Sequence, residues 1–79
     1  MIFKIDAIEK KDVDWFVLDV HEAVEGGQTY TKVSVNRKDK NSGAVAFTDF
    51  DSFDVGYEFQ GEPWRSPKNY WYIFAPKPK

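Results

Sequence analysis

Gln28-Thr29-Tyr30-Thr31-Lys32-Val33-Ser34-Val35-Asn36-Arg37 alternates residue by residue, with Thr29, Thr31, Val33 and Val35 on one side and Gln28, Tyr30, Lys32, Ser34 and Asn36 on the other. A period of two marks a half-buried strand, because successive side chains leave a strand on opposite faces. The valines are expected inward. Tyr30, Lys32 and Ser34 then form an outer face that serves either a ligand or solvent.

The same period extends outward from this stretch. Upstream, Gly26-Gly27 supplies a turn, and Val13 to Glu22 reads as a long strand with Phe16, Leu18 and Val20 in the core. Trp15 and Val17 point the other way, so this strand is apolar on both faces in its first half. Before it, Ile2 to Ile8 reads as a strand ending in the charged turn Glu9-Lys10-Lys11-Asp12.

Downstream, Lys38 to Gly43 reads as a polar hairpin connection into a short strand, Ala44 to Phe47, with Val45 and Phe47 inward. Thr48 to Asp54 breaks the alternation and has room for one helical turn, capped by Asp51 or Ser52. Val55 to Gly61 reads as the next strand and Asn69 to Phe74 as the last. In that last strand Trp71 and Ile73 oppose Tyr70, Tyr72 and Phe74, so one apolar face needs a cover or a ligand.

These elements predict an all-β fold, a small five- to six-stranded barrel with at most one short helical turn. At 79 residues the chain is expected to be one domain, 1–75, followed by a short Pro/Lys tail, 76–79. A chain this short buries a small core, so its 14 aromatic residues matter to stability. There is no cysteine to provide disulfides or thiolate zinc sites.

The net charge is −2, unevenly spread. Residues 26–40 carry four cations and one acid, and residues 63–79 four cations and no acid, whereas 1–25 hold seven acids and 41–62 hold five. The second basic island contains Pro63-Trp64-Arg65-Ser66-Pro67-Lys68-Asn69-Tyr70-Trp71-Tyr72, with four rings and two cations. Flat rings beside positive charge suit unstacked bases and a phosphate backbone, although rings of this size also close small cores.

Other chemistry has little to build on. His21 is the sole histidine, which leaves no His-based metal site or nucleophile pair, and a structural or surface role is expected for it. Asp49, Asp51 and Asp54 lack calcium-loop spacing, and Gly26-Gly27 lacks the following Lys and Ser/Thr of a phosphate loop. The chain is expected to be a non-enzyme without cofactor or metal. It has neither a spanning segment of about 18 apolar residues nor a leader-like start, so a soluble cytoplasmic protein without a membrane partner is expected.

The order of long strand, Gly turn, strand, polar hairpin, short strand, brief irregular segment, Val55-Gly56-x-x-Phe59-x-Gly61, variable loop and final strand resembles an OB-fold. More narrowly, it is similar to the single-stranded-DNA-binding OB domains of replication protein A and of small viral or archaeal binding proteins. The resemblance spans residues 13–75, with Ile2 to Ile8 as an N-terminal extension. It implies a ligand crossing the second and third strands between the loop after the first strand and the loop before the last.

Carried onto this chain, the resemblance implies a floor of Tyr30, Lys32 and Ser34, a hairpin contributing Arg37, Lys38 and Lys40, and a final loop contributing Trp64, Arg65 and Lys68. Trp64 with Tyr30 or Tyr72 would sandwich bases, with little sequence preference. The chain departs from the family in lacking an acidic tail and in the acidic loop Glu22 to Gly27, which would stand against phosphate. The expected partner is single-stranded nucleic acid, bound by a monomer or weak homodimer. The alternatives are a protein-interaction module using the same rings, and an acidic nucleic-acid mimic presenting Asp12, Asp14, Asp49, Asp51 and Asp54.

Overall fold

Backbone pairing, set by the period-two pattern, organises the chain into one sheet. The computed structural model describes residues 1–39 and 42–76. Its strands are β1 (Ile2–Asp12), β2 (Trp15–Glu22), β3 (Thr29–Asn36), β4 (Glu58–Gln60), β5 (Glu62–Arg65) and β6 (Trp71–Phe74), with one 3₁₀ turn at Phe50–Ser52. The sheet order is β4-β1-β2-β3-β6-β5. All neighbours are antiparallel except β3 and β6.

The two outermost strands, β4 and β5, are separated only by Gly61. The sheet therefore curls into a half-barrel, all-β and compatible with the OB-like fold expected. Gly61 sits at the seam, where its N–H donates to the Met1 carbonyl at 2.9 Å and its own carbonyl accepts from the Met1 ammonium at 3.2 Å. A Cβ there would lie 2.3 Å from Ile73 Cγ2, so the close approach of the two segments requires glycine.

Phe3 and Ile5 of β1, Phe16, Leu18 and Val20 of β2, Val33 and Val35 of β3, Phe59 of β4 and Ile73 of β6 fill the concave side. The segment between β3 and β4 closes it with three buried rings, Phe47, Phe50 and Phe53. Phe50 stacks on Phe16 with centroids 4.1 Å apart, and Phe53 meets Phe59 at 4.6 Å. Each fully buried ring of this kind stabilises the fold by about 1.5–3 kcal/mol.

Five local expectations are corrected. β1 runs through Glu9 to Asp12 and turns at Val13-Asp14, because those charged residues continue to pair with β2, Glu9 with Val17 and Lys10 with Phe16. Ala44 to Phe47 is not a strand. It makes one bridge, Lys38 with Val45, and Val45 is exposed while Phe47 is buried.

In the Val55 to Gly61 segment only Glu58–Gln60 is strand, because Gly56, at φ 89°, turns the chain first. The aromatic-basic segment is not all loop, since Glu62–Arg65 pairs with β6. No helix among the described residues is long and apolar enough to cross a membrane.

The last correction concerns Tyr30. Leu18 pairs with Val33 but Val20 pairs with Tyr30, so two residues of β3, Thr31 and Lys32, oppose the single Asp19. This β-bulge puts Lys32 at φ 53°, with its N–H donating to the Asp19 carboxylate at 3.0 Å. One extra residue reverses the faces upstream of it. Tyr30 is consequently buried with the valines, edge-on to Phe3 and Trp71, and Thr29 and Thr31 are exposed.

Candidate functional site

Because Val33, Val35 and Ile73 fill the concave side, their strand neighbours Ser34, Asn36, Tyr72 and Phe74 face outward. The register aligns Val17 with Ser34, Ser34 with Tyr72, and Tyr72 with Trp64. One row thus crosses four strands, β2-β3-β6-β5. Three strand spacings make it about 14 Å long. Trp15 joins the row from the start of β2, where its Nε1–H donates to Ser34 Oγ at 2.8 Å.

At the β5 end the rings form a cluster. Trp64 lies 5.7 Å from Tyr72 and 5.9 Å from Phe74, and Tyr72 and Phe74 are nearly parallel, at 2°. Trp15, Trp64 and Phe74 keep 41%, 47% and 43% of their surface in solvent, and Tyr70 keeps 62%. Tyr70 is held on the β5–β6 turn, where its N–H donates to Ser66 Oγ at 3.1 Å and its carbonyl accepts from Ser66 N–H at 2.8 Å. Asn69 takes the left-handed position of that turn, φ 67°, which Asn tolerates better than most residues.

Two hollows open on this face and share Tyr70 and Tyr72. The larger, about 1260 Å³, lies against Asn36, Lys38, Trp64, Lys68 and Phe74, with Asp39 and Glu62 also in its wall. The smaller, about 510 Å³, lies against Trp15, Val17, Lys32, Ser34 and Trp71, with Glu9 and Lys11 at its edge. Glu9 and Lys11 pair with each other at 2.8 Å.

The sequence-predicted residues are distributed unequally over this surface. Lys32 and Ser34 line the smaller hollow, Lys38, Trp64 and Lys68 the larger, and Tyr72 both. Tyr30 is sealed in the core by the bulge and offers no face to a ligand. Lys40 lies outside the described residues.

Arg65 is separated from Trp64 by strand alternation. Its guanidinium stands 5.9 Å from the ring centroid of Trp71, which packs against the core. Arg37 is committed elsewhere. Its Nε donates to Asp14 at 2.8 Å, its Nη atoms donate to both oxygens of Asp51, and Nη2 donates to the Val13 carbonyl at 2.9 Å.

Arg37 also covers the Phe50 ring at 4.9 Å. The Asp51 carboxylate, then Asp14, raises the Arg37 pKa above its ordinary value, and Arg37 in return lowers that of Asp51. This is a clamp joining the β1–β2 turn, the end of β3 and the 3₁₀ turn. Asp51 therefore serves the clamp instead of capping.

Asp49, at the N-cap position, makes no side-chain cap bond. It accepts from Tyr57 Oη at 2.8 Å and raises the phenol's pKa. His21 pairs with Asp6 at 2.8 Å between β1 and β2. Among the described residues no group of three or more His, Cys, Asp or Glu side chains is placed to hold a metal ion.

The acidic loop Glu22 to Gly27 joins β2 to β3 and lines neither hollow, so it is not the wall expected of it. The reason is register of elements: Ile2 to Asp12 is the first strand, so Val13-Asp14 is the loop that follows it. Sequence reading left Trp15 unassigned, although its two-sided strand was a visible signal. Asn36 and Phe74 were not assigned to the site either. No family model, curated protein or solved structure matches the chain.

Proposed function

We propose that the outer face of β2, β3, β6 and β5 binds single-stranded nucleic acid with low sequence preference. The observation that carries this reading is the cross-strand row of Val17, Ser34, Tyr72 and Trp64, extended by Trp15 and Tyr70 and edged by Lys32, Lys38 and Lys68. Exposed rings stack on bases, and each stack is worth about 1–3 kcal/mol by alanine substitution. A duplex hides its base faces and has little to offer these rings.

Local charge favours phosphate more than the net charge suggests. Lys11 pairs with Glu9, and Lys32, Lys38 and Lys68 stand at the rims of the hollows, with Asp39 and Glu62 as the acids of the larger one. Strand pairing supports an OB-type domain. Counting β4 and β5 as one strand interrupted at Gly61 gives five strands, with β1-β2-β3 sequential, β3 parallel to the last strand, and β4 returning to β1. In such barrels the second and third strands carry oligonucleotides.

Titration of intrinsic Trp fluorescence with oligothymidylate tests the reading. Quenching is expected to weaken with salt, with a slope of about −2 if the three lysines each neutralise a phosphate. It should be much smaller with duplex and reduced in Trp64→Ala. A protein-interaction surface is the second reading, favoured by exposed Phe74 and Val45 and by Asp39 and Glu62 in the larger hollow. Absence of quenching at low salt would replace the first reading with the second.

A further inference from the structure

The smaller hollow contains an arrangement that stacking alone does not explain. An exposed tryptophan on a strand ordinarily samples several rotamers, and fixing it on binding costs about 0.5–1.5 kcal/mol. Here the Trp15 indole is already fixed, because its N–H donates to Ser34 Oγ on the neighbouring strand at 2.8 Å. Ser34 lies between Val17 of β2 and Tyr72 of β6 in the cross-strand row. Trp15, Ser34 and Tyr72 all line the one hollow, with Lys32 beside them.

Trp15 of β2 pairs with Asn36 of β3, whereas Tyr72 of β6 pairs with Ser34, so the two rings are offset by two residues along the strands as well as by two strand spacings across the sheet. The hollow that Trp15, Tyr70, Trp71 and Tyr72 line, about 510 Å³, has room for one flat base.

We propose that the smaller hollow is a one-base subsite in which Trp15 is a stacking platform and Ser34 is its positioning residue, acting through the indole N–H and not by touching the ligand. This assignment rests on the single-stranded-nucleic-acid reading and gives Ser34 a different role from the direct floor contact the sequence suggests.

A double-mutant cycle separates the two roles. The probe is a fluorescently labelled oligothymidylate of about ten nucleotides, followed by anisotropy, with melting temperatures checking that each variant folds. Trp15→Ala should weaken binding about tenfold. Trp15→Phe, which keeps a ring but removes the N–H, and Ser34→Ala, which removes the acceptor, should each cost about two- to fivefold.

The Trp15→Phe/Ser34→Ala double variant should bind no worse than either single variant, and Ser34→Thr should stay close to wild type. Additive losses would show that Ser34 meets the ligand itself and would overturn its positioning role. Unchanged affinity in Trp15→Ala, with the wild type binding, would overturn the subsite but leave the functional reading standing. No binding by the wild type would overturn both.

Discussion

Gly61→Ala tests the closure of the sheet, on which the outer face depends. The added Cβ would lie 2.3 Å from Ile73 Cγ2, 3.2 Å from the Phe74 carbonyl oxygen and 3.6 Å from Phe59 Cε2. Carbon atoms in contact prefer about 3.5–4.0 Å, so Ile73, a core residue only 2% exposed, would have to move by more than about 1 Å.

Overpacking of this kind costs about 1–3 kcal/mol. In a domain of 60–100 residues each kcal/mol shifts the melting temperature by about 4–8 °C, so the expected fall is about 4–24 °C. Gly61 lies outside the left-handed region, and without the clash the substitution would stabilise slightly by restricting the unfolded chain. The sign of the effect therefore reports the steric contact. Thermal unfolding followed by circular dichroism measures it, with Ile73→Ala as the background in which the added methyl should cost far less. A melting temperature at or above wild type in Gly61→Ala would refute the packing at the seam.

Other expectations concern the clamp, its titration and the ligand face. Arg37→Gln should lower the melting temperature yet leave oligothymidylate affinity unchanged, because its donors serve Asp14, Asp51 and Val13 and not the hollows. Since Arg37 lowers the Asp51 pKa, that stabilisation is present above the ordinary carboxylate range and lost as pH falls through it. Melting between pH 7 and 3 should therefore fall more steeply in wild type than in Arg37→Gln. The raised pKa of Tyr57 has the opposite sense: its stabilisation is present below the ordinary phenol range and lost as pH rises through and above it, and Tyr57→Phe should remove that alkaline loss. Lys38→Glu combined with Lys68→Glu should weaken binding and flatten its salt dependence by about 1.4, two phosphates' worth, without changing stability.

Much of the core was legible because alternation survives packing. Phe16, Leu18 and Val20, and Val33 with Val35, sit inside as their spacing requires. Tyr30 was not legible, because the bulge that turns it inward falls on Thr31 and Lys32, neither of which carries the glycine that marks many bulges. The extension of β1 through Glu9-Lys10-Lys11-Asp12 was hidden for a different reason: charged residues at the end of a hairpin are held by backbone pairing, which leaves no hydrophobic trace.

The site shows the same division. Trp64, Lys68 and Tyr72 come from the one stretch Pro63 to Tyr72, which composition could suggest, whereas Lys38 joins them from beyond the end of β3, which topology had to deliver. Arg65 and Arg37 illustrate what adjacency conceals. One is turned away from Trp64 by being its strand neighbour, and the other is claimed by acids 23 and 14 positions distant. The two-faced apolar pattern of Trp15 and of the last strand left open whether the second face is covered or offered to a ligand, and the structure leaves Trp15 and Phe74 exposed.

The most direct test of a base-stacking face is two-dimensional ¹H–¹⁵N NMR of the whole chain titrated with oligothymidylate at low salt. The indole N–H signals of Trp15 and Trp64, and the backbone amides of Ser34, Tyr70 and Tyr72, are expected to shift together and saturably, while Asp6, His21 and Tyr57 stay still. Shifts absent from those outer-face groups, or centred on the Asp6–His21 region, would contradict it.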